Sequence, residues 1–105
     1  MSTPPASFTF TPAGGGRFAV GGAMTFATAA ALHSAGLAAF AGTGDPALEL
    51  DCGGVSSADS AGLAVLVDWL GWARRSGRTL RLHALPPKLL DLARISELDE
   101  LIAPA

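Results

Sequence analysis

Between residues 47 and 83 the chain changes its hydrophobic period twice. Ala47 to Cys52 alternates, with Leu48, Leu50 and Cys52 on one side and Glu49 and Asp51 on the other, the period of a strand. From about Ser60 to Ser76, Leu63, Leu66, Val67 and Leu70 instead recur at i, i+3, i+4 and i+7, the stripe of an amphipathic helix. Thr79 to His83 then alternates again. Gly77 closes the helix, and Arg74 and Arg75 suit the negative end of its dipole. Two strands joined by a helix of this length pair in parallel, through a right-handed crossover. That unit restricts the chain to an α/β architecture.

The remaining elements build on it. Phe8 to Thr11 alternates, Gly14 to Gly16 reads as a turn, and Arg17 to Val20 as a second strand, which gives a hairpin ended by Gly21-Gly22. Thr25 is the expected N-cap of a helix running to about Phe40, with Phe26, Ala30, Leu37 and Phe40 along one face and His33 between them. Gly42 to Pro46 is a loop. Pro86 and Pro87 open a helix through about Ile95, and Ser96 is expected to cap a last short helix to Ile102. The expected fold is α/β, a mixed and mostly parallel four-stranded sheet with an N-terminal hairpin and about four helices. Residues 8–102 are expected to form one domain, behind a flexible N-terminus at 1–7.

Composition narrows the function classes. Half of the 105 residues are hydrophobic and 15% are charged, which makes the chain globular and able to bury roughly 65% of its unfolded surface. A formal charge of -2 with seven basic residues leaves no electrostatic footprint for nucleic acid. Arg74, Arg75, Arg78, Arg81, Lys88 and Arg94 gather locally and read as a solvated face. The lone Cys52 excludes an internal disulfide and a Cys-rich metal site; its place in the apolar alternation makes it a buried thiol. No basic stretch followed by an apolar run opens the sequence, so a cytoplasmic location is expected. From Phe18 to Gly44 no residue is formally charged. That run is mostly Ala, Gly, Thr and Ser, broken by Gly21-Gly22 and His33, so it reads as a buried helix of a soluble domain, with no membrane insertion.

The candidate functional segment is Asp51-Cys-Gly-Gly-Val-Ser-Ser-Ala-Asp-Ser-Ala-Gly-Leu63. It sets an acid, a hydroxyl and small residues where a helix begins, and a helix N-terminus suits anions, phosphorylation or docking. Ser60, Asp59 and His83 could be named as a triad, yet the segment lacks the Gly-x-Ser-x-Gly of a nucleophile elbow. His33 and His83 have no metal-ligand spacing. The glycine runs lack the lysine of a phosphate loop, which also weakens nucleotide binding. No catalytic residue, metal or cofactor is expected. Val65, Trp69 and Trp72 lie opposite the leucine stripe. They either pack on neighbouring helices or form a partner surface.

Strand, then Asp51-Cys52-Gly53-x-Val55-x-x-x-Asp59-Ser60-x-Gly62-Leu63, resembles the signature of the STAS domain of anti-sigma factor antagonists and sulfate transporters. The order of elements and Gly22 before the first helix agree, over about residues 8 to 102. In the antagonists a partner kinase phosphorylates the serine before the glycine; here that position is Ala61, and Ser60 is the remaining candidate phosphoacceptor. Asp59-Ser60-Ala61-Gly62-Leu63-Ala64, the basic helix end before Gly77, and Leu92-Ala93-Arg94 are instead similar to the MlaB branch. That branch is a non-catalytic cytoplasmic subunit of a phospholipid-transport ABC complex that maintains outer-membrane lipid asymmetry. The resemblance implies that the chain binds and supports an ABC ATPase, peripheral to the inner membrane through that partner and its permease, with Ser60 at the contact. Partner-binding residues are then Asp59, Ser60, Ala61, Gly62, Val65, Trp69 and Trp72. The alternative is a phospho-switch that binds an anti-sigma serine kinase. Ala58 replaces a larger apolar residue and Gly53 a serine of that branch.

Overall fold

The computed structural model describes residues 6–102. In chain order it holds β1 (Phe8–Gly14), β2 (Arg17–Met24), α1 (Ala29–Ala41), β3 (Ala47–Ala58), α2 (Ser60–Arg75), β4 (Thr79–His83) and α3 (Pro87–Ile95). The four strands form one sheet in the order β1-β2-β3-β4. β1 and β2 are the antiparallel hairpin, and β2–β3 and β3–β4 pair in parallel. The mixed, mostly parallel sheet and the β3–α2–β4 crossover are those expected. Residues 1–5 of the expected flexible N-terminus lie outside the described residues; Ser7 already accepts a hydrogen bond from Ala23 N–H at 2.8 Å.

Alternation along the strands divides the sheet into two faces. Phe18, Val20, Leu48, Leu50, Cys52, Leu80 and Leu82 are buried beneath the helices. The opposite face carries Arg17, Glu49, Asp51, Arg81 and His83, with the Glu49 carboxylate 3.0 Å from His83 Nε2 and 3.6 Å from Arg17 Nε. This face neutralises its own charge and stays solvated.

The core is aromatic where α1 and α2 meet the hairpin. Phe40 packs edge-on against Phe10, Phe18 and Trp69, with ring centroids 5.6, 5.3 and 5.6 Å away, and lies nearly parallel to Trp72 at 5.9 Å. Such pairs add about 0.5–1.5 kcal/mol each beyond the area they bury. Arg78 ties the same region together: its Nη1 donates to Phe40 O at 2.7 Å, and its guanidinium sits 5.4 Å from the Trp72 ring. A basic residue after α2 thus satisfies the carbonyl end of α1, which has no cation of its own in its last turn.

Four expectations are corrected. β2 does not stop at Gly21-Gly22 but runs to Met24. The pair absorbs register shifts on both sides, Gly22 adopts φ +79°, and a Cβ there would meet Ser7 O, so the glycines mark a bulge inside the strand. α1 starts at Ala29, not after Thr25, because Thr28 closes a turn on Thr25: Thr28 N–H donates to Thr25 O at 3.0 Å. The Thr28 hydroxyl donates to Ala23 O at 2.7 Å and accepts from Thr25 N–H at 3.1 Å. The buried stripe of α1 is Leu32, Gly36 and Phe40, whereas Phe26 and Ala30 are exposed.

Last, there are three helices among the described residues and not about four. Glu97 takes the left-handed conformation (φ 59°), Leu98 N–H bonds to Ala93 O at 2.7 Å and Glu97 N–H to Arg94 O at 3.2 Å. This Schellman turn makes Ser96 the C-cap of α3. The five residues up to Ile102 then form only turns.

Candidate functional site at the start of the second helix

β4 pairs with β3 only as far as Asp51 opposite His83. β3 continues beside β2, with Gly54 opposite Gly21 and Ala58 opposite Met24. Gly53 to Ala58, beyond the Cys52 end read from the alternation, is therefore strand, and it delivers Asp59 to the end of β2. Asp59 is extended and caps α2. Its Oδ1 accepts from Ala61 N–H at 2.9 Å and Gly62 N–H at 3.3 Å, while Oδ2 accepts from Phe26 N–H at 3.0 Å. Its own N–H donates to Met24 O at 3.2 Å.

One carboxylate thus joins two chain segments. The Phe26 N–H, foremost, then those of Gly62 and Ala61 and the charge of Lys88, hold the Asp59 carboxyl below its ordinary 3.8, against a desolvation that acts the other way. The joint is also packed tightly, because a Cβ on Gly62 would overlap the Met24 carbonyl. Gly62 is buried, and its role is close approach of the helix to β2.

The other residues named from the sequence separate into two groups. Ser60 is exposed and Ala61 half-buried. Ala64 and Asp68 continue the exposed line at i+4 and i+8 from Ser60. Val65 and Trp69 are 6% and 0% exposed. The Trp69 Nε1–H donates to His33 O at 3.2 Å, and the ring lies where a Cβ on Gly36 would overlap it. Trp72 is half-buried on the aromatic core. Of the two readings left open for this side of α2, internal packing describes Trp69, which is 0% exposed, while Val65 packs inward and also lines the groove between α1 and α2.

Sequence reasoning missed the residue tied to Asp59. Phe26 is 86% exposed and borders a shallow groove of about 490 Å³ between α1 and α2, floored by Ala29, Ala30, Ala61 and Ala64. His33 Nε2 and an Asp68 carboxylate oxygen pair across its far end. The signal was present as an aromatic flanked by small and polar residues, but period alone assigned Phe26 to a helix face.

The chemistry open to this arrangement is contact. The first free N–H groups of α2 are occupied by Asp59, so the helix start is not an empty anion cradle. Asp59 and His83 are not joined: both Asp59 oxygens face backbone amides, and His83 bonds to Glu49 on the open sheet face. Cys52 is buried, its thiol pushed up to about 12 by burial first and by Asp51 second. Among the described residues no group of His, Cys, Asp and Glu is arranged to hold a metal ion. Nor is any described helix long and apolar enough to cross a membrane.

The family model described as "Mlab, STAS domain" matches residues 11–103. The chain belongs to the STAS family. Among solved structures, an anti-sigma factor antagonist from Mycobacterium paratuberculosis superposes with a TM-score of 0.73 at 24% identity, covering 99% of this chain and 89% of that one. The anti-sigma factor antagonist SpoIIAA in its unphosphorylated form gives a TM-score of 0.71 at 12% identity, over 94% of this chain and 88% of the other. At these identities the two structures show the shared fold. No curated protein matches the chain. This STAS domain is MlaB-like.

Proposed function

We propose that this MlaB-like STAS domain is a non-catalytic cytoplasmic subunit that binds and supports the ATPase of a phospholipid-transporting ABC complex, peripheral to the inner membrane. The observation that carries the reading is the start of α2: Ser60 is exposed while Asp59 occupies the amides behind it. A rigid helix start with a small hydroxyl at its surface suits a hydrogen-bonded contact and costs little to order on binding. The match to the MlaB model supports the choice of partner, and the proposed partner surface is Asp59, Ser60 and Ala61. Ser60→Glu adds charge and bulk there. The expected outcome is that the tagged variant, purified from the native host, no longer brings down the ATPase while its melting temperature is unchanged. Normal co-purification would place the interface elsewhere.

The second reading is a phospho-switch that binds an anti-sigma serine kinase, favoured by the two antagonist structures that share the fold and by the exposed Ser60 hydroxyl. A phosphate on Ser60 would sit beside the ionised Asp59, a like-charge contact that disfavours it. Incubation with the kinase followed by a phosphosite search separates the readings. No phosphate on Ser56, Ser57 or Ser60 removes the second.

A further inference from the structure

Three large apolar side chains among the described residues are exposed: Phe26, Ile95 and Leu101. Single exposed apolar residues are ordinary on a protein surface. Phe26 differs in being held in place. The turn that carries it is closed by Thr28 N–H on Thr25 O and by the Thr28 hydroxyl on Ala23 O. Its own amide is bonded to Asp59, 33 residues away in sequence. The backbone that carries the aromatic ring is thereby held at the mouth of the α1–α2 groove, which Ala61 also lines.

We propose that Phe26 is the apolar contact residue of the Ser60 surface, seated in a pocket of the partner protein, with Asp59 as its positioning residue. The inference rests on the ATPase-binding reading above and deepens it. Charge selects the kind of partner. Asp59 has both oxygens turned to backbone amides, and Asp68, whose side chain is 55% exposed, pairs with His33 at the end of the groove. A partner with an apolar pocket and a basic side chain at its rim complements this surface, the cation meeting Asp68. An anionic lipid surface would meet the exposed Asp68 carboxylate, a like-charge contact that disfavours it. An aromatic ring on a held backbone turn gives large contact area with only its own two side-chain torsions left to order, which suits an interface anchor.

The test compares tagged wild type with Phe26→Ala, Ser60→Glu, Asp59→Asn and Asp68→Asn, each purified from the native host. The ABC ATPase recovered is identified by mass spectrometry, then purified and titrated. Phe26→Ala is expected to keep the wild-type melting temperature and to lose at least ~10-fold in affinity. Asp68→Asn should flatten the salt dependence of binding. In Asp59→Asn the new amide N–H confronts the Phe26 N–H, so the Phe26 amide should exchange faster while Ala61 and Gly62 stay protected, with affinity reduced.

Wild-type affinity in Phe26→Ala together with loss in Ser60→Glu overturns the role of Phe26 and leaves the ATPase reading standing. Wild-type affinity in Asp59→Asn overturns the positioning role. Failure of wild type to recover any ABC ATPase removes the functional reading and this inference with it. A wild-type dimer that Phe26→Ala converts to monomer by light scattering would give the surface to a second copy. Flotation with phosphatidylglycerol vesicles that Phe26→Ala abolishes would give it to lipid. Either overturns the proposal.

Discussion

Cys52 shows how completely burial can decide the behaviour of one side chain. It continues the strand alternation, is 0% exposed, and carries a thiol pushed up to about 12. A thiolate is needed for nucleophilic attack, and this one is suppressed by desolvation and by the neighbouring Asp51 charge. We expect a thiol reagent at pH 8 to leave native protein unlabelled and to label it fully in denaturant. Rapid labelling of the native protein would show that β3 opens. Asp59 is the opposite case, an ionised carboxylate that fixes the place of the groups around it. Its oxygens hold the first amides of α2 and the amide of Phe26, which turns one residue into the joint between two segments.

Among the elements, α2 is covered on two sides. Leu63 and Leu66 are buried, and so are Val65 and Trp69. This leaves Ser60, Ala64 and Asp68 as an exposed line. The tight side is the crossing with α1, where Gly36 lets the Trp69 ring approach the helix backbone. Gly36→Ala should therefore destabilise the protein by about 1–3 kcal/mol through overpacking, despite the better helix propensity of alanine. Urea denaturation checks this, and a midpoint at or above wild type would mean that Trp69 can move aside. Of the expected leucine stripe, Leu63 and Leu66 are fully buried while Val67 and Leu70 are half-buried. A stripe read at helical period shows that a helix has an apolar side. It does not show that a second element covers the reverse, because that depends on where α1 lands.

For the molecule as a whole, the Asp59 joint links stability to pH. Its carboxyl is held below the ordinary 3.8 in the folded state, so folding favours the ionised form. The contribution is fully present above that ordinary value and is lost as pH falls through the lower, folded one. Wild type should therefore lose stability more steeply than Asp59→Asn as pH falls below the ordinary 3.8, as measured by urea midpoints. Parallel profiles would show that the carboxylate bonds persist on protonation. The open sheet face contributes differently, since Glu49 lies against Arg17 and His83 in solvent, where exposed pairs contribute about 0–1 kcal/mol.

The order of elements, the parallel β3–α2–β4 unit, the buried Cys52 and the position of Ser60 at a helix start were all legible in the residues. They rest on local rules: period, alternation and capping act within a few residues of chain. What the tertiary structure alone decided is where two distant segments meet. Gly21-Gly22 became a bulge and not an end because β3 passes beside it. Trp69 went inside because Gly36 leaves room for it. Phe26 stayed outside because its turn closes through Thr28 on Thr25 and Ala23, and a carboxylate 33 residues further on bonds its amide. Contacts of that range leave no period in the sequence, since either partner is compatible with several local structures until the other arrives.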